Sequence, residues 1–149
     1  MNRIAVIAIC LTLLLVACPQ KQADPNAADQ QGSQAPKVRA GLWILEPADG
    51  ATVAYRPNIV GTISDKTVPE VWVVVRAVGM DGYWVQPPGR VDPNGLWVTQ
   101  AYVGEEGTQS GIKFEVQAFA NPTAPLSAGT ELPGWPAAAM KSKLITITR

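Results

Sequence analysis

Between Ile112 and Ala118 the chain alternates without a fault. Ile112, Phe114, Val116 and Ala118 are apolar, and Lys113, Glu115 and Gln117 between them are polar. Successive side chains on a strand point to opposite faces, so this period of two reads as a half-buried strand. A helix would scatter the same apolar residues around its circumference. Ile145 and Ile147 alternate with Thr146 and Thr148 in the same way. No segment after Leu42 carries a helical stripe of useful length. The nearest is Pro136 to Lys141, enough for one or two turns.

Other strand-like runs precede these two, each ended by turn chemistry. Leu42 to Glu46 stops at Pro47-Ala48-Asp49-Gly50, and Ala51 to Tyr55 forms a second short run. Pro57 breaks that run, and Asn58 to Ser64 follows. Glu70 to Val78, rich in β-branched residues, is the strongest strand signal. Tyr83 to Gln86 lies between Met80-Asp81-Gly82 and Pro87-Pro88-Gly89. Asp92-Pro93-Asn94-Gly95 is a dense turn signal, because Pro presets φ and Asn-Gly accepts positive φ. Leu96 to Val103, Ile112 to Ala120 and Lys143 to Thr148 complete the series. About seven or eight strands over residues 42–149 predict an all-β, two-sheet sandwich.

A resemblance sharpens this expectation. The string Ile44-Leu45-Glu46-Pro47-Ala48-Asp49-Gly50-Ala51-Thr52-Val53 resembles the opening of bacterial Ig-like and fibronectin-like modules. Gly61 in Ile59-Val60-Gly61-Thr62 fits their next strand, and Val71 to Arg76 resembles their central strand. Asp92-Pro93-Asn94-Gly95-Leu96-Trp97 resembles the turn before a later strand. The resemblance implies an Ig-like, Greek-key sandwich, with transthyretin-like sandwiches as the neighbouring alternative. It ends after Asn121, where a Pro-rich stretch to Met140 separates the penultimate strand from the last. The pairing of that last strand is left open.

The N-terminus has a different character. Met1-Asn2-Arg3 precedes Ile4 to Val16, apolar except for Thr12. Roughly 20 apolar residues are needed to span a bilayer, so this shorter run reads as a secretory leader. Leu15-Val16-Ala17-Cys18 resembles the bacterial lipobox. That resemblance implies a diacylglyceryl thioether on Cys18 and cleavage before it, hence a lipid (palmitate-type) membrane anchor. Pro19, rather than Asp, implies the outer membrane facing the periplasm in an organism with two membranes. Two or three acyl chains make such attachment lasting, where one binds only marginally.

Residues 19–41 hold no aromatic residue and many Gln, Ala, Asp and Pro. Such a segment buries too little apolar surface to offset its ordering entropy, and reads as a disordered tether. Its flexible reach is roughly 25–30 Å. The organisation is therefore a leader over 1–17, a lipidated cysteine and tether over 18–41, and a sandwich over 42–149.

Composition narrows the chemistry. Loss of Arg3 with the leader leaves 11 basic against 12 acidic residues, so no polybasic footprint for nucleic acid is expected. There is no histidine, which removes the commonest general base and metal ligand. Cys10 leaves with the leader and Cys18 is consumed by lipid, so the sandwich has neither disulfide nor thiolate.

The candidate sites are few. Trp97 shares a face with Thr99, Ala101 and Val103 and reads as core, while Trp72 is assigned to neither face. Tyr83 and Trp84 stand beside Asp81-Gly82, where aromatics next to polar groups can stack on sugars. Trp135, between Gly134 and Pro136, reads as a cap on the end of the sandwich or as a partner anchor. Asp92 and Asn94, with Asp81 or Asp49, carry oxygens suited to Ca²⁺, but EF-hand spacing is absent and the turn explains them. Adjacent Glu105 and Glu106 would point to opposite faces of a strand, which does not support a catalytic carboxylate pair. Ser64 and Ser110 have no histidine partner and no motif. The expectation is a non-catalytic binding or structural module at the cell envelope, without cofactor or metal. Its partners are the membrane and an envelope protein or glycan. The alternative is a carbohydrate- or peptidoglycan-binding accessory protein, and an envelope enzyme using carboxylates ranks last.

Overall fold

The computed structural model describes residues 38–107 and 111–149. The leader, Cys18, the tether up to residue 37 and Ser110 lie outside the described residues. Among the described residues there are ten strands and no helix. They are β1 (Leu42–Glu46), β2 (Asn58–Ile63), β3 (Glu70–Ala77), β4 (Tyr83–Val85), β5 (Gly89–Arg90), β6 (Leu96–Gln100), β7 (Lys113–Pro122), β8 (Glu131–Leu132), β9 (Ala138–Lys141) and β10 (Ile145–Thr148). They form an antiparallel sheet in the order β1-β2-β6 and a larger one in the order β10-β7-β3-β4-β8. The chain crosses between sheets from β2 to β3, back from β5 to β6, and again from β6 to β7.

The sheets pack face to face through the alternation legible in the sequence. Val71, Val73 and Val75 of β3 and Val116 of β7 meet Leu42, Ile59, Ile63 and Trp97 of the small sheet, all buried. Each such side chain contributes about 1.5–3 kcal/mol by leaving water. Trp97 is 1 % exposed, and its indole N–H meets no acceptor among the described residues. Its role there is packing.

Two strands of the large sheet are interrupted. β4 and β5 pair with successive parts of β3, with Gln86-Pro87-Pro88 between them. β10 and β9 likewise pair with successive parts of the same edge of β7. The last strand therefore closes on β7, which settles its pairing. Ser142 bridges the break: its N–H donates to the Ala118 carbonyl (2.9 Å), and its Oγ accepts from the Ala118 N–H (2.9 Å).

Three local expectations change. Ala51 to Tyr55 is not a strand of its own; Thr52 makes a single parallel bridge to Thr148 at the edge of β10. Pro136 to Lys141 carries β9 rather than a helical turn, because pairing with β7 satisfies its backbone. Trp135 covers the outer face of the large sheet, not the end of the sandwich. It stacks on Phe119 (centroids 6.0 Å, planes 28° apart) and meets Tyr83 edge-on (4.9 Å, 75°). The Pro-rich segment thus lays Leu126, Leu132 and Trp135 over Val74, Val85 and Phe119 as a second, smaller core.

Candidate functional site

The large sheet runs past β3 to β4 and β8, while the small sheet ends at β6. Between Pro87 and Val91 the resulting edge is closed. Thr99 Oγ1 donates to the Pro87 carbonyl (2.5 Å), Gly89 lies against the Val98 carbonyl, and Val91 bridges Trp97. On the Trp84 side of Pro87 the edge opens into a cleft of about 790 Å³. That volume lies within the usual range of ligand sites. Val75, Ala77 and Phe114 form its apolar floor, continuous with the core.

Trp84 stands at the mouth of this cleft. It pairs with Val75 across β3 and β4, and directly paired residues share a face, so it projects from the core-facing side. It is nevertheless 47 % exposed, because no strand of the small sheet lies opposite. Met80 and Tyr102 line the same cleft and are also exposed.

The opposite side of the cleft is built on the chain beyond β6. Ala101 and Val103 donate to the Pro57 and Tyr55 carbonyls, which turns Tyr102 outward between them. Gln86, 4 % exposed, pins this segment to the large sheet: its Oε1 accepts from the Tyr102 N–H (2.7 Å) and its Nε2 donates to the Trp84 carbonyl (3.1 Å). Arg56 lies 4.8 Å from the centre of the Tyr102 ring, Tyr102 meets Tyr55 edge-on at 5.9 Å, and Arg149 lies 5.3 Å from Tyr55. Arg149 also donates to the Glu105 carbonyl. Exposed cation–aromatic contacts of this kind contribute about 0.5–1 kcal/mol each.

A second depression of about 470 Å³ adjoins the cleft along Asp81 and Gly82, which line both. Glu131 borders it. Gly82 has φ +102°, and a β-carbon there would lie 2.5 Å from Glu131 Oε1 and 3.4 Å from Trp84 Nε1. The bare backbone of Gly82 is what lets both side chains sit over it.

The sequence-predicted residues are therefore divided. Trp84 belongs to the cleft. Tyr83, one residue earlier, points to the outer face, accepts a hydrogen bond from Arg76 (2.8 Å), and reaches only the second depression. That hydrogen bond raises the Arg76 pKa above its ordinary value, aided by the nearby Glu115 and Asp81 charges against the opposing effect of burial. Arg76 Nε lies 3.0 Å from Glu115, near enough for an ion pair but off-line for a hydrogen bond. Trp135 is structural cover on Tyr83, and Trp72 lies on the same outer face, in the smaller core.

The remaining candidates stand apart. Asp92 Oδ1 accepts the N–H groups of Asn94 and Leu96 at 2.8 Å, as the turn reading requires. Asp49 is held by Thr146 and Lys143. Among the described residues no three His, Cys, Asp or Glu side chains converge on a cation position. Glu105 and Glu106 lie in a loop bounded by Gly104 and Gly107, both at positive φ. Ser64 accepts from the Gly41 N–H. Tyr102 and Glu131 were not singled out by sequence. Tyr102 had a signal, as the large residue on the face opposite Trp97, Thr99 and Ala101. Glu131 had none, because only the pairing of β8 with β4 brings it to Trp84. No protein family, curated protein or solved structure matches the chain.

Proposed function

We propose that this protein is a cell-envelope lipoprotein whose sandwich binds a partner without catalysis, using the open-edge cleft. The observation that carries the binding reading is the cleft itself: half-exposed Trp84, with Tyr102 and Met80, over a floor continuous with the core. Large apolar side chains left exposed around a concavity are the usual mark of a recognition surface. The strand order, β1-β2-β6 against β10-β7-β3-β4, agrees with the Ig-like resemblance. Such sandwiches serve many tasks, so the function is argued from the site. The lipobox supports attachment through Cys18, and the polar segment after it supports presentation at a distance from the membrane.

Photo-cross-linking from position 102 in intact cells tests the binding reading, with position 123, exposed and outside the cleft, as the control. A discrete adduct from 102 and none from 123 supports it; equal yields from both sink it. Cys18→Ser should abolish palmitate labelling, and labelling that persists removes the anchor. Hydrolytic activity lost on Glu105→Ala or Glu106→Ala would replace the non-catalytic reading with an enzyme.

A further inference from the structure

The geometry around Gly82 points to a glycan as the ligand, and this inference rests on the binding reading above. We propose that one sugar ring stacks on Trp84 while its hydroxyls donate to Asp81 and Glu131. A sugar ring presents a flat C–H face and a rim of hydroxyls, and it needs an aromatic surface beside paired acceptors. The structure supplies both. The Trp84 indole is half exposed, and Glu131 is its register partner across β4 and β8, so both side chains rise on one face. The Glu131 carboxylate overlies Gly82, and Asp81 borders both depressions. No hydrogen bond engages either carboxylate among the described residues; Asp81 feels Arg76 only as a charge at a distance. Each therefore has acceptor lone pairs to offer.

Charge favours a neutral ligand. Asp81 and Glu105 line the cleft together with Arg149, so neither an anion nor a cation is matched throughout. The face of Tyr102 already carries the Arg56 guanidinium at 4.8 Å. Among the described residues no cation lies over Trp84, which leaves its ring face open at the mouth, and with Tyr102 engaged by Arg56 a cage for a quaternary ammonium, which needs several open faces, is not assembled. Hydroxyls both donate and accept, so they suit a lining of mixed sign. The two depressions meet at Asp81-Gly82, which gives room for a chain of rings rather than one sugar.

The test uses the full chain with Cys18→Ser, titrated with short N-acetylglucosamine and glucose oligosaccharides and followed by tryptophan fluorescence and amide chemical shifts. Saturable binding with shifts centred on residues 81–84 and 131 is expected. Trp84→Ala should weaken it about tenfold, the size of one stacking contact. Glu131→Gln, an exposed and nearly isosteric change that keeps the backbone pairing of β8 with β4, should weaken it by about tenfold as well. Val98→Ala on the far sheet should leave it unchanged. Undiminished affinity in Trp84→Ala, or saturable binding of choline in place of either sugar, overturns the glycan assignment. Absence of sugar binding alongside a persistent cross-link from position 102 sinks the glycan and leaves the binding module standing. Loss of both sinks the two together.

Discussion

Gly61 on β2 lies directly opposite Trp97 on β6, and the indole fills the space where a side chain at position 61 would stand. A β-carbon at Gly61 would run into the Trp97 ring on one side and the Trp43 carbonyl on the other. The backbone of β1 cannot yield without breaking its ladder to β2. Gly61→Ala should therefore destabilise the sandwich by about 1–3 kcal/mol, the usual cost of overpacking. A lowered urea midpoint at unchanged slope checks this. An unchanged midpoint would mean the small sheet adapts.

Trp135→Ala should uncover the outer face of the large sheet. The substitution removes the rings' contacts with Phe119 and Tyr83 and exposes Val74. Because Trp135 is itself only half-buried, the loss should be about 2 kcal/mol, below the range for a fully buried tryptophan. Increased binding of a hydrophobic dye should accompany it, and Trp135→Phe should restore most of the stability. A stable variant with no gain in dye binding would show that the Pro-rich segment holds without its anchor.

Ser142→Ala should act locally. Its hydroxyl is the acceptor for the Ala118 N–H, which is buried in the middle of β7, and it donates in turn to the Lys143 carbonyl. Leaving that N–H unpaired costs about 1–3 kcal/mol. Hydrogen exchange should show the Ala118 amide losing protection before its neighbours on β3. Uniform loss of protection along β7 would instead point to general loosening.

Asp49 makes part of the stability depend on acid. Its carboxylate accepts from the Thr146 N–H (2.9 Å) and pairs with Lys143 (3.3 Å), and these contacts, the backbone bond foremost, hold its pKa below the ordinary value. The folded-state pKa is depressed, so this contribution is fully present above the unfolded value of about 3.9 and is lost as pH falls through the folded value. The gap in thermal midpoint between the wild type and Asp49→Asn should be steady near neutrality and close below pH 4. A gap independent of pH would mean that Asp49 acts through its shape alone.

Much of the sandwich was legible from side-chain chemistry. The alternation of Phe114, Val116 and Ala118 marked one face of β7 as core, and Ile145 and Ile147 did the same for β10. Asp92 to Gly95 announced its own turn because the Asp92 carboxylate caps it within four residues. Trp97 read as core because its neighbours at period two are small or apolar. Local spacing carries these facts, since each depends on residues a few positions apart.

The site was legible only in part. Trp84 was visible as an aromatic beside a turn, but a strand's two faces look alike until something covers one of them. Tertiary structure decided that Tyr83 turns outward to Trp135 while Trp84 turns toward a sheet too narrow to cover it. It also carried Glu131 across from a Pro-rich segment that has no period of its own. The sequence by itself determined the main strands, the turns that end them and which of their faces is core. Which edge of the sandwich stays open was decided by the unequal widths of its two sheets, and that inequality comes from pairings between residues distant along the chain.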